Sequence, residues 1–286
     1  MHAPRSTPII EPELLMLAYR SGIFPMSDAR DDPEIFWIEP RLRAILPLEG
    51  LRVSSSLART LKRGRFEVTC NRAFSQVMDE CAAPRRARAS GDASDDSGSD
   101  DGGNDDGGSW ISHRIQASYE NLHFLGHAHS IEVWREGELV GGLYGVGFDR
   151  VFCGESMFSR ASDSSKVALC WLVAALRRGG TTLLDCQFMT SHLASLGAVE
   201  MPQKKYLALL QAAQSGQPTA VHCSTAGSST GSGSATVGDA LGLADAAGAG
   251  VLSLPEAFAA LLGDAKSCGL ASSPGKLIAQ LLTQTS

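Results

Sequence analysis

A mixed α/β (α+β) fold is predicted by three observations. Strand-like runs at residues 130–134, 139–147 and 150–152 are separated only by turns at Glu136-Gly137 and at 147–149, which makes an antiparallel meander. Residues 164–178 carry a helical apolar pattern closed by Gly179-Gly180, and a short apolar strand at 181–185 follows at once. The chain has 286 residues, 43% hydrophobic and 20% charged, enough material for a real core and far from the composition of a disordered chain.

From the N-terminus, Leu14, Leu15, Leu17 and Ala18 suit a short amphipathic helix that Gly22 ends and a Pro25 turn follows. Short strands within 35–46 and 66–70 and a helix over 73–81 complete a small mixed N-terminal domain, residues 1–83. Residues 84–108 form an acidic insert, almost wholly Gly, Ser, Ala, Asp and Asn from 89 onward, which cannot bury enough apolar area to offset its ordering entropy. A disordered surface loop is expected there; a calcium loop would need a bidentate Glu that does not follow at the required distance. A larger domain, 109–213, holds a helix at 118–125 stopped by Gly126, the meander, the long helix and its strand, a helical turn at 191–196, and a helix at 204–213 where packing is expected to end. Residues 214–286 read as a low-complexity tail with short helices at 254–262 and 276–282.

The first eleven residues contain no signal-peptide core, and no later run approaches the roughly 18 to 20 apolar residues that span a bilayer. A cytoplasmic protein with no membrane partner is expected. Cysteines at 70, 81, 153, 170, 186, 223 and 268 are never spaced C-x-x-C, which fits reduced thiols rather than a disulfide framework or zinc site. Of the net charge of −6, residues 84–108 contribute −4 (seven Asp against Arg85, Arg86 and Arg88), so the remainder is nearly neutral. A nucleic-acid partner would need a local basic patch. Arg41, Arg43, Arg52, Arg59, Lys62, Arg63 and Arg65, with Glu49 as the one acid among them, are the candidate, although an ordinary solvated face has the same composition.

Chemistry-bearing residues concentrate in two segments. Residues 154–158, Gly-Glu-Ser-Met-Phe, place the carboxylate of Glu155 on an expected loop at a strand end, where substrates often bind. Asp185 and Gln187, two apart in a strand, would face one site while Cys186 turns into the packing. Asp185 would then accept from the Gln187 NH2 and leave the amide oxygen for a substrate; a turn-forming pair is the alternative. His127 and His129 make half a metal site with no third ligand at suitable spacing, which favours structural histidines. Ser156 lacks a G-x-S-x-G elbow, and there is no P-loop.

Taken together, five segments resemble the leucyl/phenylalanyl-tRNA–protein transferase family: 127–134 (HAHSIEVW), 139–145 (LVGGLYG), 152–160 (FCGESMFSR), 184–187 (LDCQ) and 195–198 (SLGA). Residues 19–25 (YRSGIFP) and Trp110-Ile111 are similar too, so the resemblance spans roughly residues 12–210. It implies an acetyltransferase-like (GNAT) C-terminal domain behind the small N-terminal one, and a reaction with no metal and no coenzyme. The donors it implies are leucyl-tRNA and phenylalanyl-tRNA, with Met carried less readily; the acceptors are proteins with N-terminal Arg or Lys, which the transferred residue commits to N-end rule degradation. By resemblance, Gln187 contacts the attacking amine, Asp185 orients it, Glu155 holds the aminoacyl end, Trp110 and Trp37 meet the tRNA's terminal adenosine, and Leu143, Phe152, Leu172 and Leu184 line the aminoacyl side-chain pocket. A monomer is expected.

Departures from the family pattern leave the proposed catalytic pair, Asp185 and Gln187, untouched and bear instead on the tRNA contact. Phe36-Trp37-Ile38 keeps one Trp where the family has two in tandem, Gln203 stands where Arg is common, and the acidic insert and the tail are extra. A coenzyme A-dependent N-acyltransferase would need a Q/R-x-x-G-x-G/A loop, and the match, residues 88–93, lies inside the insert. A non-catalytic binder of basic N-termini would present the same pocket.

Overall fold

A computed structural model describes residues 9–83, 109–216 and 251–283, so the expectations for the acidic insert, and for the tail between 217 and 250, lie outside the described residues. The elements in chain order are α1 (Pro12–Arg20), β1 (Phe24–Met26), β2 (Phe36–Ile38), β3 (Leu42–Ile45), α2 (Ser55–Arg63), β4 (Glu67–Cys70), α3 (Phe74–Ala82) and α4 (His113–Phe124). They continue with β5 (Ala128–Arg135), β6 (Glu138–Phe148), β7 (Val151–Ser159), α5 (Ser164–Arg178), β8 (Leu183–Gln187), α6 (Ser191–Ser195), β9 (Val199–Pro202), α7 (Gln203–Gln214), α8 (Leu254–Ser267) and α9 (Gly275–Thr283). The mixed α/β class expected from the sequence is the one observed.

Seven strands form one sheet in the order β4-β5-β6-β7-β8-β3-β9, and β1 pairs separately with β2. The meander β5-β6-β7 is antiparallel, as its two short turns require. Helix α5 then crosses over, and β8 returns parallel to β7, the length of connection a parallel pair needs. β3 is antiparallel to β8 on one side and β9 on the other. The N-terminal segment thus supplies β3 and β4 to the main sheet, pairings with partners so distant in sequence that no local pattern encodes them.

Alternation along the strands divides the core between the two faces of this sheet. Ile131, Leu143, Phe152 and Leu184 point to the face covered by α5, α2, α8 and α9. Tyr144, Val146, Cys153 and Leu183 point to the other, covered by α1, α3, α4 and α7. Helix α2 was not among the expected elements. Its apolar positions are only Leu57 and Leu61 among basic residues, but Ser54 caps its first turn by accepting from the Leu57 N–H, and Gly64 closes it at φ 61°. Helix α4 starts at His113 rather than 118, where Ser112 caps it through the Ile115 N–H. The expectation that packing ends near residue 213 is corrected as well. Helices α8 and α9 bury Leu254, Phe258, Leu261, Ile278 and Leu282 in the same core cluster as α5, and α8 begins with a capping box between Ser253 and Glu256.

Candidate active site

The site forms where β7 and β8 part. Their parallel pairing covers only Val151–Cys153 against Leu183–Asp185, although β7 continues to Ser159 and β8 to Gln187. Just past the last pair, the register of β7 on β6 shifts: Gly145 pairs with Gly154 and Tyr144 with Ser156. Glu155 is the extra residue of this β-bulge, a device that re-aims a side chain at the cost of one ladder position. The expected loop at 154–158 is therefore strand. A β-carbon on Gly145 would stand 2.2 Å from the Cys153 carbonyl oxygen and 2.5 Å from the Phe152 ring, so any larger residue must displace the backbone here.

Glu155 is 8% exposed and bridges three elements. Its Oε1 accepts from Gln187 Nε2 at 2.8 Å, and its Oε2 accepts from the Tyr119 hydroxyl of α4 at 3.2 Å. The Tyr19 hydroxyl of α1 is hydrogen-bonded in turn to that of Tyr119. Burial pushes the Glu155 carboxyl up to about 7; hydrogen bonds from Tyr19, Gln187 and Tyr119 oppose the rise, and the charge of Asp185 adds to it. Burial and the neighbouring Glu155 likewise raise both tyrosines well above the ordinary phenol value.

The carboxylate that holds the Gln187 amide is thus Glu155, not Asp185 as expected. Strand alternation fails at this point because Gln187 has φ 62°, in the left-handed region. Asp185 instead accepts the Gln187 backbone N–H through Oδ1 at 2.9 Å, a local side-chain-to-backbone turn. Asp185 also pairs with Arg43 of β3 and accepts from the Tyr206 hydroxyl of α7. Arg43, expected in the basic patch, is buried and unavailable to a phosphate, whereas Arg41, Arg52, Arg59, Lys62, Arg63 and Arg65 are exposed. Burial works against the Arg43 charge, but the Asp185 carboxylate outweighs it and raises the guanidinium pKa above its ordinary value.

The sequence gives Tyr19, Tyr119 and Tyr206 no role at this centre, and Arg43 only a place in the basic patch. A signal for Arg43 did exist: an arginine inside the run Leu-Arg-Ala-Ile-Leu, residues 42–46, must be buried with its strand and so requires a buried acid. Tyr19 stands in the family-like segment 19–25, but nothing local marked Tyr119 or Tyr206.

The remaining expected residues lie around this centre. Leu143, Phe152, Leu172 and Leu184 are buried in one cluster, on the α5 face, opposite the face that carries Asp185. Trp37 in β2 is 42% exposed; its strand partner is Pro25, next to Phe24, whose ring lies against Arg43. Trp110 packs half-buried on the core of the α4 face. His129 is buried and bonded through Nδ1 to Asn71 Nδ2 at 3.0 Å, and burial, followed by the neighbouring His123 and His127, lowers its pKa to about 4. That is the structural role favoured for it.

Comparison with known proteins agrees with this picture. The profile described as leucyl/phenylalanyl-tRNA protein transferase matches residues 45–93 and 97–211, and that of the family's N-terminal domain matches residues 9–41. A leucyl/phenylalanyl-tRNA–protein transferase of Novosphingobium aromaticivorans is 57% identical over 281 residues, 97% of each chain. Those of Rhizorhabdus wittichii and Rhodopseudomonas palustris (strain TIE-1) are 52% and 51% identical, covering 71% and 73% of this chain and 75% and 84% of their own. Among solved structures, the C-terminal domain of a lysylphosphatidylglycerol synthetase from Agrobacterium fabrum aligns with 72% of this chain and 58% of its own, at 12% identity and a TM-score of 0.31, too slight a likeness to bear on function. These matches make the chain a member of the leucyl/phenylalanyl-tRNA–protein transferase family of aminoacyltransferases.

Proposed function

We propose that the chain moves a leucyl or phenylalanyl group, and less readily methionyl, from aminoacyl-tRNA to the N-terminal Arg or Lys of cytoplasmic proteins, marking them for N-end rule degradation. It acts as a monomer without metal or coenzyme. The observation that carries the reading is the Gln187–Glu155 hydrogen bond across the mouth between β7 and β8. With its amide nitrogen committed to Glu155, Gln187 offers its carbonyl oxygen, an acceptor, to an N–H of the incoming amine.

The chemistry asks little more than this. The acceptor's α-amine attacks the ester carbonyl carbon; an amide C–N bond forms, the C–O bond to the terminal ribose breaks, and the amine's proton ends on the ribose oxygen. An α-amine with a pKa of about 7.7 to 8.0 is partly neutral near pH 7, and the ester is already activated, so positioning and polarisation supply the rate. A neutral amide acceptor fits that task. Leu143, Phe152, Leu172 and Leu184 are the proposed walls for the donor side chain, discriminating by about 1 to 3 kcal/mol per methylene. Trp37 and Trp110 offer ring faces for the terminal adenosine. The exposed cations of α2 and its flanks, Arg52, Arg59, Lys62, Arg63 and Arg65, provide a phosphate-binding face.

Purified chain mixed with labelled leucyl-tRNA and a peptide beginning with Lys tests the reading directly. Label should enter the peptide; peptide binding without transfer would leave a binder of basic N-termini. Gln187→Ala should fold normally and lose most transfer, and full transfer by that variant would remove Gln187 from its role.

A further inference from the structure

The carboxylate beside Gln187 has no bonding capacity left for a substrate. An ionised carboxylate has about four lone-pair sites. At the fully buried Asp185 four donors meet them: Arg43 Nε to Oδ1 at 2.9 Å, Arg43 Nη2 to Oδ2 at 2.6 Å, the Tyr206 hydroxyl to Oδ2 at 2.9 Å and the Gln187 backbone N–H to Oδ1 at 2.9 Å. Arg43 is itself 1% exposed and fixed on every side. Its Nη1 donates to the Gly22 carbonyl at 3.0 Å, and its guanidinium carbon lies 4.8 Å from the Phe24 ring centre and 4.5 Å from that of Tyr206. At the far end of the chain of contacts, Gln187 holds a left-handed backbone, φ 62°, strained for a non-glycine residue and kept only where its surroundings over-determine it.

We propose that Arg43 and Tyr206 are positioning residues for aminoacyl transfer, clamping Asp185 so that its Oδ1 fixes the Gln187 main chain and thereby aims the Gln187 amide into the mouth between β7 and β8. Asp185 acts on that main chain rather than on the amine, and neither Arg43 nor Tyr206 touches the substrates. No bond forms or breaks at these three residues. Glu155 and Asp185 divide the work: one orients the Gln187 side chain, the other its backbone. The inference rests on the reading of Gln187 as the residue that meets the amine.

Two substitutions loosen the clamp at different points. Tyr206→Phe removes one donor and keeps the ring against Arg43; Arg43→Lys keeps the charge and loses the two-pronged fork. With the full chain, labelled leucyl-tRNA and a peptide beginning with Lys, kcat should fall about 10-fold in Tyr206→Phe and further in Arg43→Lys, a loss typical of one hydrogen bond to a charged group, while KM for leucyl-tRNA stays unchanged. In a Gln187→Ala background, Tyr206→Phe should cost nothing more, because the path it acts through ends at the removed side chain. A role confined to fold stability would not produce that non-additivity. The inference is overturned if Tyr206→Phe keeps the parent kcat, if its loss is undiminished in the Gln187→Ala background, or if only KM moves. Should Arg43→Lys fail to fold, Tyr206→Phe decides alone. Full transfer by Gln187→Ala overturns both the reading of Gln187 and this inference; loss in Gln187→Ala beside full activity in Tyr206→Phe overturns this inference alone.

Discussion

Glu155 faces two opposing demands that pH separates. Its folded pKa of about 7, raised chiefly by burial, lies above the ordinary carboxylate value of 4.5, so folding favours its protonated form. Its contribution to stability is therefore fully present below about 4.5 and is lost as pH rises through about 7. Transfer runs the other way, because the ionised carboxylate is the better acceptor for Gln187 Nε2 and the Tyr119 hydroxyl, and the attacking amine must be neutral. The rate of leucyl transfer should rise with pH through about 7, and Glu155→Gln should remove that limb and leave the one set by the amine at about 7.7 to 8.0. An unshifted limb near 7 in Glu155→Gln would assign it to another group. Both residues of this pair were legible in the sequence, but their partnership was not. The sequence pattern presumes strand geometry at Gln187, and a left-handed φ of 62° turns that residue from Asp185 toward Glu155. The fully buried Arg43 was read among exposed cations for a related reason: a charge reveals its burial only through a partner, and Asp185 lies 142 positions away in sequence.

Among the elements, β7 positions the site, and it was the strand whose length sequence reading most underestimated. Its first residues are apolar and plainly strand, but Gly154-Glu155-Ser156 resembles a turn, and only the pairing with β6 keeps it in the sheet. The meander and the α5–β8 connection were legible because their information is local: short turns, an unbroken helical pattern and a Gly-Gly stop. The partners of β3 and the whole of α2 were not, since one depends on distant strands and the other on caps and two leucines. The bulge itself yields a prediction. At Gly145 a methyl group would fall 2.2 Å from the Cys153 carbonyl oxygen, so Gly145→Ala must push β6 and β7 apart next to Glu155. It should lower unfolding free energy by about 1 to 3 kcal/mol, the usual cost of overpacking, and reduce kcat beyond what the folded fraction explains. Chemical denaturation measures the first and steady-state transfer the second; loss of stability with unchanged kcat would show that the bulge tolerates displacement.

For the whole molecule, the two C-terminal helices add to the core on the face of the sheet opposite Asp185. The family profile ends at residue 211, and α8 and α9 lie beyond it. These helices do not extend the catalytic face. They cover α5 and α2 on the opposite side, where Phe258 packs on Trp171 with ring centres 5.3 Å apart and Arg178 of α5 meets Asp264 of α8. Their apolar stripes were readable as helices, but a stripe does not say which face it will cover, and a long Gly-, Ser- and Ala-rich stretch before them made them look detached. A buried aromatic in such a position contributes to the core like any other. Phe258→Ala should therefore cost about 3 to 5 kcal/mol of stability, lowering Tm, while Glu155, Asp185 and Gln187 keep their geometry on the far face. At a temperature where the variant remains folded, its kcat for leucyl transfer should match the parent. If kcat falls in proportion to the lost stability even there, the pressure of α8 on α5 is transmitted through Leu172 to the donor side-chain pocket, and the C-terminal pair belongs to the catalytic apparatus rather than to its support.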